Sequence, residues 1–212
     1  MNRAALLDSL VFGALVLAGV VARVEFRHIP NFKPVAAIAL FAGFYYAGTR
    51  SKHAEQAPTT RTCLARLAAT AVPIAIMAAS DWFLGGYDLR LMTLVYGMLA
   101  LPALFGPILR NAFFRQGRAA CDTLSASIYL LIASLGSSLA FFLVTNFGCW
   151  ILFDHYAKNW SGLLECYTMA VPFFRYTVAG DLFFACMTFG GYLLVRSVGY
   201  SSHGATTQPN DA

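Results

Sequence analysis

Residues 125–147 read SASIYLLIASLGSSLAFFLVTNF and contain no Asp, Glu, Lys or Arg. An α-helix needs roughly 20 predominantly apolar residues to cross the hydrocarbon core of a bilayer, so this segment is long enough to do so. Because lipid offers no hydrogen bonds, the backbone polar groups of such a segment must pair within it, as they do in a helix. The segment therefore predicts a transmembrane helix.

The whole chain has the composition of a membrane protein. Of its 212 residues, 58% are hydrophobic and 12% are charged, with a mean hydropathy of +0.62. A soluble domain has about 25% charged residues, so this chain cannot build a polar shell around a core. Its formal charge of +5 comes from bases scattered between apolar runs, without a basic stripe. Nucleic acid is therefore not a predicted partner, and the anionic surface of the lipid bilayer is.

Six apolar runs predict an all-α integral membrane bundle of about six transmembrane helices. The first run is too long for a signal peptide and lacks a small-x-small cleavage site, so we expect it to be retained. Pro73 and Pro102 lie inside predicted spans, where neighbouring helices satisfy the freed carbonyls. The predicted spans are Leu6–Ala22, Pro34–Gly48, Leu64–Leu84, Leu91–Leu109, Ser125–Phe147 and Thr177–Ser197.

One segment fits neither a span nor a plain loop. Asp154–Arg175 is too polar to cross lipid, yet it is rich in Leu, Tyr, Met and Phe. We expect an interfacial helix here, between the fifth and sixth spans, that ends near Pro172. The polar segment Ser201–Ala212 is predicted to be a disordered tail after a single transmembrane domain of residues 1–200.

Six spans place both termini on the same side of the membrane. Cytoplasmic loops carry an excess of Lys and Arg, and the terminal side holds nine of these residues against six on the other side. We therefore expect a multi-pass protein of the bacterial inner membrane with both termini in the cytoplasm. The nine are Arg3, Arg50, Lys52, Arg61, Arg66, Arg110, Arg115, Arg118 and Arg196, and the six are Arg23, Arg27, Lys33, Arg90, Lys158 and Arg175.

Polar and aromatic residues gather at the span ends opposite the termini. Five separated segments each place an amide, carboxylate or guanidinium group beside an aromatic ring. A pocket for a small organic molecule needs such a mixture of apolar walls and a few placed polar groups. The predicted substrate-binding residues are Asn31, Phe32, Asp81, Trp82, Asn146, Trp150, Tyr167, Arg175 and Asp181.

A structural explanation competes with this pocket. Belts of Trp and Tyr form at both interfaces of ordinary membrane proteins. Asp81 and Asp181 are also able to pair with Arg23 or Arg175 and so hold helices together. All three tryptophans fall on the side opposite the termini, whereas a plain belt would populate both sides, and this favours the pocket.

Common signatures of catalysis are absent from the sequence. It contains no Walker-type phosphate loop, no HExxH motif and no Gly-x-Ser-x-Gly elbow. We therefore do not expect an enzyme or a cofactor, and the chain cannot drive transport with ATP by itself. A membrane enzyme that uses Asp81 and Asp181 as acid and base is a further alternative, which requires both carboxylates to face one cavity.

The histidines do not make a convincing metal site. His28 and His155 fall on the same side, but a site would need a third ligand such as Asp154 or Asp181. We therefore predict no bound metal.

The five cysteines stand at neither zinc nor redox spacing and are interpreted as small buried hydrophobic residues. Cys149 and Cys166 fall on the same side, and a disulfide between them in an oxidising periplasm stays open as an alternative.

The chain carries a series of short motifs, which are His28-x-Pro30-Asn31-Phe32-x-Pro34-Val35, Ala39-Leu40-Phe41-Ala42-Gly43, Ser80-Asp81, Asn146-Phe147-x-x-Trp150, Gly162-Leu163-Leu164-x-Cys166-Tyr167 with Pro172-Phe173-Phe174, and Gly180-Asp181-Leu182. This series resembles an uncharacterised family of bacterial membrane proteins. That family is itself similar to the substrate-binding S components of energy-coupling-factor transporters.

The resemblance implies a vitamin or a metal cation as the ligand of an outward pocket, capped by a lid that would correspond to residues 23–33. The chain lacks the N-terminal histidine cluster typical of nickel or cobalt binders, so a vitamin-like ligand is favoured. It also implies docking on a transmembrane coupling subunit and its ATPases through small residues of the first helix, here Ala14, Ala18 and Ala22, which stand four apart on one face. Packing within the bundle explains this spacing at least as well. We therefore predict the substrate-binding membrane subunit of an uptake transporter. The alternative is a structural or assembly subunit of a membrane complex, with no ligand.

Overall fold

A computed structural model describes the backbone of residues 3–51, 58–114 and 119–204, and the side chains of residues 5–48, 63–114 and 126–195. These residues form helices and connecting loops without a strand, which confirms the all-α prediction. The helices are α1 (Arg3–Glu25), α2 (Val35–Ser51), α3 (Pro58–Leu84), α4 (Leu89–Ala100), α5 (Gly106–Phe113), α6 (Ala119–Leu152) and α7 (Trp160–Gly204). Short 3-10 helices follow α1 at Phe26–His28 and join α4 to α5 at Leu101–Phe105.

Five stretches of the described chain are long and apolar enough to cross a membrane. They are Ala5–His28, Cys63–Leu84, Leu89–Phe113, Ala126–Leu152 and Trp160–Val195, and the shorter apolar helix Val35–Gly48 lies between the first two. Every one of the six predicted spans therefore corresponds to helix in the structure. The loops at residues 26–34, 85–88 and 153–159 lie at one end of the bundle, which we call the three-loop end.

The shortest span, α2, forms the centre of the bundle. Every residue from Pro34 to Phe44 is buried, and α2 packs against α1, α3, α5 and α7. A helix that is apolar all round is expected to be buried on all sides. Its 17 residues extend roughly 26 Å at 1.5 Å per residue, so its neighbours rather than lipid cover most of its surface.

Two glycines let the fourth span approach α2 at backbone distance. A Cβ added to Gly43 would lie 2.0 Å from the Ala103 carbonyl oxygen, and one added to Gly106 would lie 2.1 Å from the Gly43 carbonyl carbon. Pro102 and Pro107 lack a backbone N–H, and the span changes from α4 to a 3-10 helix to α5 across them. The irregular backbone therefore lies where α2 packs against it.

α1 lies at the periphery and packs mainly against α3. The two helices meet at Gly19, where an added Cβ would lie 2.4 Å from Ile76 Cδ1. The predicted docking residues face another way, since Ala14 and Ala18 are exposed and Ala22 is half-buried. This orientation leaves Ala14 and Ala18 accessible to lipid or to another helix.

An ordered connection joins α6 to α7. Lys158 Nζ donates a hydrogen bond to the carbonyl of Phe153 at 2.5 Å and another to that of Trp150. A cation is favourable there because carbonyls at a helix C-terminus lack partners in the helix. At the start of α7, Asn159 Oδ1 accepts a hydrogen bond from Gly162 N at 2.9 Å, as an N-cap does.

The predicted interfacial helix is not a separate element. Its segment is a loop as far as Asn159 and then the first part of α7, which continues through Pro172 to Gly204. The prediction that this helix ends near Pro172 is therefore wrong, because one missing hydrogen bond does not break a helix supported by neighbours. The apolar stretch of 36 residues is roughly 54 Å long, against about 30 Å of hydrocarbon, so α7 must extend beyond the core.

α7 also continues four residues into the segment predicted as a tail, and residues 205–212 lie outside the described chain. Of the nine bases on the terminal side, seven have no described side chain, namely Arg3, Arg50, Lys52, Arg61, Arg115, Arg118 and Arg196.

Candidate functional site

A buried ion pair joins three helices at the three-loop end. Arg23 Nη1 at the end of α1 donates a hydrogen bond to Asp81 Oδ1 of α3 at 2.6 Å, and another to Ser80 Oγ. Tyr96 of α4 donates its hydroxyl hydrogen to Asp81 Oδ2 at 2.6 Å. Both charged side chains are buried, and ionisable groups at such positions are expected to pair with each other. The pairing of Asp81 with Arg23 is the one that the structural explanation expected.

A second basic side chain lies near this cluster. Lys33, in the loop before α2, lies within electrostatic range of Arg23 and Asp81. Burial lowers the pKa of Lys33, and the charge of Arg23 lowers it further, whereas Asp81 raises it. Within the described chain no hydrogen bond or ion pair satisfies its ammonium group. The Nε atom of Arg23 is buried without a hydrogen-bond partner there.

Tyr87 in the loop between α3 and α4 belongs to the same region. Burial raises its pKa, and the negative charge of Asp81 raises it further, while Arg23 acts in the opposite direction. The α3–α4 loop therefore contributes a phenol near the ion pair.

The loop between α1 and α2 (residues 26–34, hereafter the α1–α2 loop) rests on α7. The ring centroid of Phe32 lies 5.5 Å from that of Phe26, 5.8 Å from that of Phe183 and 5.4 Å from that of Phe184. At Gly180, an added Cβ would lie 3.1 Å from Lys33 N. Ring packing and a glycine contact therefore hold this loop against α7.

Asn31 occupies the turn of this loop. Its φ is 60°, a left-handed conformation that Asn adopts more readily than most residues, and its side chain is exposed. The predicted neighbours Asn31 and Phe32 thus have different environments, one at the surface and the other among rings.

Asp181 forms a separate polar site. It is buried in α7, and its Oδ2 accepts a hydrogen bond from Ser138 Oγ of α6 at 2.6 Å. Asp81 and Asp181 share no polar partner among the described residues, and Asp181 pairs with neither Arg23 nor Arg175.

Three further predicted residues donate hydrogen bonds to backbone carbonyls of α6 or of the loop that follows it. Asn146 Nδ2 donates to the carbonyl of Phe142 at 2.8 Å, one turn earlier in its own helix. Tyr167 donates its hydroxyl hydrogen to the Leu143 carbonyl at 2.7 Å. Trp150 Nε1 donates to the Ala157 carbonyl at 2.9 Å. Their polar groups are therefore used within this hairpin.

The last two predicted residues point away from the ion pair. Trp82 is 87% exposed at the end of α3. Arg175 is exposed and lies over the ring of Tyr176 at 4.7 Å. The nine predicted residues are thus distributed over the ion pair, the α1–α2 loop, the Asp181 site, the α6–α7 hairpin and the exposed surface. Their role in ligand binding stays a prediction.

The cysteines and histidines form no metal site in the described parts of the chain, where no three His, Cys, Asp or Glu residues come together. Cys149 and Cys166 are free thiols in this structure, and Cys166 Sγ contacts the Asn146 carbonyl at 3.5 Å. His155 stacks on Phe153 in the exposed α6–α7 loop.

Sequence reasoning missed Lys33, Tyr96 and Ser138 as members of these sites. Lys33 directly precedes Pro34, at which the second span was predicted to begin, and a lysine beside a span was a signal. Tyr96 and Ser138 lie in apolar runs, in which single hydroxyl groups are too common to be informative.

Comparisons with known proteins give one match. A search of curated proteins and a search of solved structures each returned none. A family profile matches residues 60–203, which cover nearly all of α3 to α7 and include Asp81, Tyr96, Ser138 and Asp181. The chain therefore belongs to the family of unknown function DUF6580.

Proposed function

We propose that this membrane protein is the small-molecule-binding subunit of an uptake system, with its ligand site beneath the α1–α2 loop. The observation that carries the proposal is the convergence of Arg23, Lys33 and Asp81 from three separate segments at the three-loop end. Charged groups are costly near lipid, and their presence there is a functional hypothesis by default. Within the described chain, Asp81 is satisfied by its neighbours but the ammonium of Lys33 is not.

The charge of this cluster favours an anionic ligand. Two cations stand against one carboxylate, and the ion pair already occupies Asp81. A ligand carboxylate would pair with the Lys33 ammonium and extend towards the buried Nε of Arg23. The rings of Phe26 and Phe32 would cover its apolar part. We therefore propose a small organic acid of vitamin-like size as the ligand class.

The mechanism is capture beneath a movable loop. The α1–α2 loop is held by ring contacts rather than by hydrogen bonds to α7 in the described residues, so it can lift without leaving buried donors unpaired. Release to the cytoplasm would require a transmembrane coupling subunit and ATPases. Exposed Ala14 and Ala18 on α1 offer the surface for that contact. This mechanism places the three-loop end outside the bacterial inner membrane and both termini in the cytoplasm.

Mass spectrometry of bound compounds tests the proposal. The protein would be purified in mild detergent and denatured, and the released small molecules compared among the parent, Lys33→Met and Lys158→Met. Lys158 is a matched control because it is an exposed lysine at the same end that caps α6. We expect an organic acid to accompany the parent and Lys158→Met but to be lost from Lys33→Met. Equal recovery of every compound from both variants would refute the proposed site.

A structural or assembly subunit is the second candidate. It is favoured by the satisfaction of Asp81, whose two carboxylate oxygens accept hydrogen bonds from Arg23 and Tyr96. For a structural subunit, we expect no organic acid to co-purify with the parent. We also expect Lys33→Met to leave complex assembly intact and Arg23→Met to disrupt it.

A further inference from the structure

Asp181 is a buried carboxylate without a cationic partner. It is 5% exposed, and within the described chain its one hydrogen-bond partner is the hydroxyl of Ser138. Burying a charged carboxylate without a counter-charge is expensive enough that such a group takes up a proton instead. The environment of Asp181 therefore favours its neutral acid.

No charged group on the elements that pack around Asp181 offsets the cost of burying its negative charge. Near Asp181, three elements contact α7, namely α6, α2 and the α1–α2 loop. α6 presents the hydroxyls of Ser134 and Ser138, and the first part of α2, residues 35–40, is entirely apolar. Of the basic groups of the loop, Lys33 lies with the ion pair, and Arg27 and His28 are exposed. Arg175 of α7 is exposed on the ring of Tyr176.

The hydrogen bonds of Ser138 also indicate a protonated acid. Its Oγ lies 2.6 Å from Asp181 Oδ2 and 3.1 Å from the Ser134 carbonyl oxygen, and both of these can act as acceptors. A hydroxyl has one hydrogen and cannot donate to both. With a proton on Asp181, its O–H donates to Ser138 Oγ, and the Ser138 hydrogen is free for the Ser134 carbonyl. Both contacts are then hydrogen bonds.

We propose that Asp181 and Ser138 form a proton-binding site within the membrane, and that its protonated form holds the α1–α2 loop closed on α7. Deprotonation breaks the O–H bond of Asp181 and transfers the proton to a water molecule, which reaches the acid when the α1–α2 loop lifts. The Ser138 hydrogen then turns from the Ser134 carbonyl to the new carboxylate. The resulting negative charge requires water, which this closed packing excludes.

The loop is placed to respond to that charge. Gly180 immediately precedes Asp181, and an added Cβ there would lie 3.1 Å from Lys33 N and 3.2 Å from Phe32 Cα. Phe184 follows Asp181 by three residues and so lies beside it on the helix surface, and its ring packs against Phe26 and Phe32 of the loop. The loop thus covers α7 next to the acid. Hydration of an ionised Asp181 requires this cover to lift, so the ionised form favours the open loop and the protonated form favours the closed one. This device needs no small-molecule ligand and is independent of the uptake proposal.

Infrared spectroscopy of the protein in liposomes tests the proton site directly. The carbonyl stretch of a protonated carboxylic acid is recorded from mildly acidic to mildly alkaline pH. We expect one acid band to persist at neutral pH in the parent and to disappear at alkaline pH. The band should be absent from Asp181→Asn and unchanged in Asp154→Asn, which alters an exposed acid. Absence of the band from the parent at neutral pH, its survival in Asp181→Asn, or carboxylate bands that shift with Na⁺ instead, would overturn the proposal.

Hydrogen exchange tests the link to the loop. Exchange of residues 26–34 is compared between the parent and Asp181→Asn at each pH, so that the intrinsic pH dependence of exchange cancels. Asn is a neutral isostere, so the variant should keep its loop protected where the parent loses protection at alkaline pH. Identical pH dependence in the two proteins would overturn the link.

Discussion

Replacement of Arg23 by Met should destabilise the folded protein by about 3–5 kcal/mol, because it leaves a buried carboxylate without its counter-charge. The distance between Arg23 Nη1 and Asp81 Oδ1 is 2.6 Å, and the two side chains are 4% and 7% exposed. The pair therefore belongs to the class in which removal of one partner is costly. The hydrogen bond from Tyr96 offsets only about 1 kcal/mol of that loss.

A double-mutant cycle separates the pair from its surroundings. Asp81→Asn should also be strongly destabilising, since it leaves the guanidinium buried and unpaired. The double variant Arg23→Met with Asp81→Asn removes both charges, so its loss should be smaller than the sum of the single losses by about 2–3 kcal/mol. A difference of that size corresponds to roughly a 30- to 150-fold change in the unfolding equilibrium.

The assay is unfolding by SDS in mixed micelles, followed by the fluorescence of the three tryptophans. The control cycle uses Lys158→Met with Asp154→Asn, an exposed ion pair of 3.6 Å that should show no measurable coupling. The reasoning that this pair fastens α1 to the bundle would be refuted by either of two results. One is a double variant whose loss of unfolding free energy equals the sum of the two single losses, and the other is single losses below about 0.5 kcal/mol.

Three further predictions follow from the packing and the charges. Gly43→Ala should destabilise the fold by about 1–3 kcal/mol because its Cβ would meet backbone rather than a movable side chain, whereas Gly136→Ala, with no atom within 4 Å, should be neutral or stabilising in the same SDS titration. Binding of an organic acid should weaken as pH rises through the pKa of Lys33, which lies below the usual lysine value, and Lys33→Arg should retain binding at higher pH in equilibrium dialysis because Arg stays protonated. Trp82→Gln should leave the set of co-purified compounds unchanged by mass spectrometry, since this side chain faces away from the bundle, and loss of the organic acid would contradict that orientation.

The spans were predictable from the sequence because hydropathy reports which solvent a segment prefers. The central position of α2 was not, since hydropathy does not tell whether lipid or protein covers an apolar helix. The continuity of α7 was also hidden, because the polar residues around Glu165 suggested an interface and Pro172 suggested an end. Both signals are local, whereas the support that keeps α7 helical comes from α6 and α2.

The sequence allowed only part of the candidate site to be predicted, and one reason is the geometry of the α-helix. Successive residues of a helix point about 100° apart, so Asp81 and Trp82 cannot both face the same neighbour. The sequence placed both in the pocket, but Asp81 is buried and Trp82 is exposed. The pairing of Arg23 with Asp81 was foreseeable because few charges are available at that end. The partner of Asp181 was not, because Ser138 is one of several serines in an apolar run.

Photo-crosslinking from position 87 tests most directly whether a ligand occupies the region beneath the α1–α2 loop. Tyr87 is replaced by a photoreactive phenylalanine in growing cells, and Trp82 is replaced in the same way as the control. We predict a small-molecule adduct of one defined mass at position 87, close to Arg23 and Asp81, and only lipid adducts at position 82. Lipid adducts alone at both positions, or the same small molecule at both, would contradict the account.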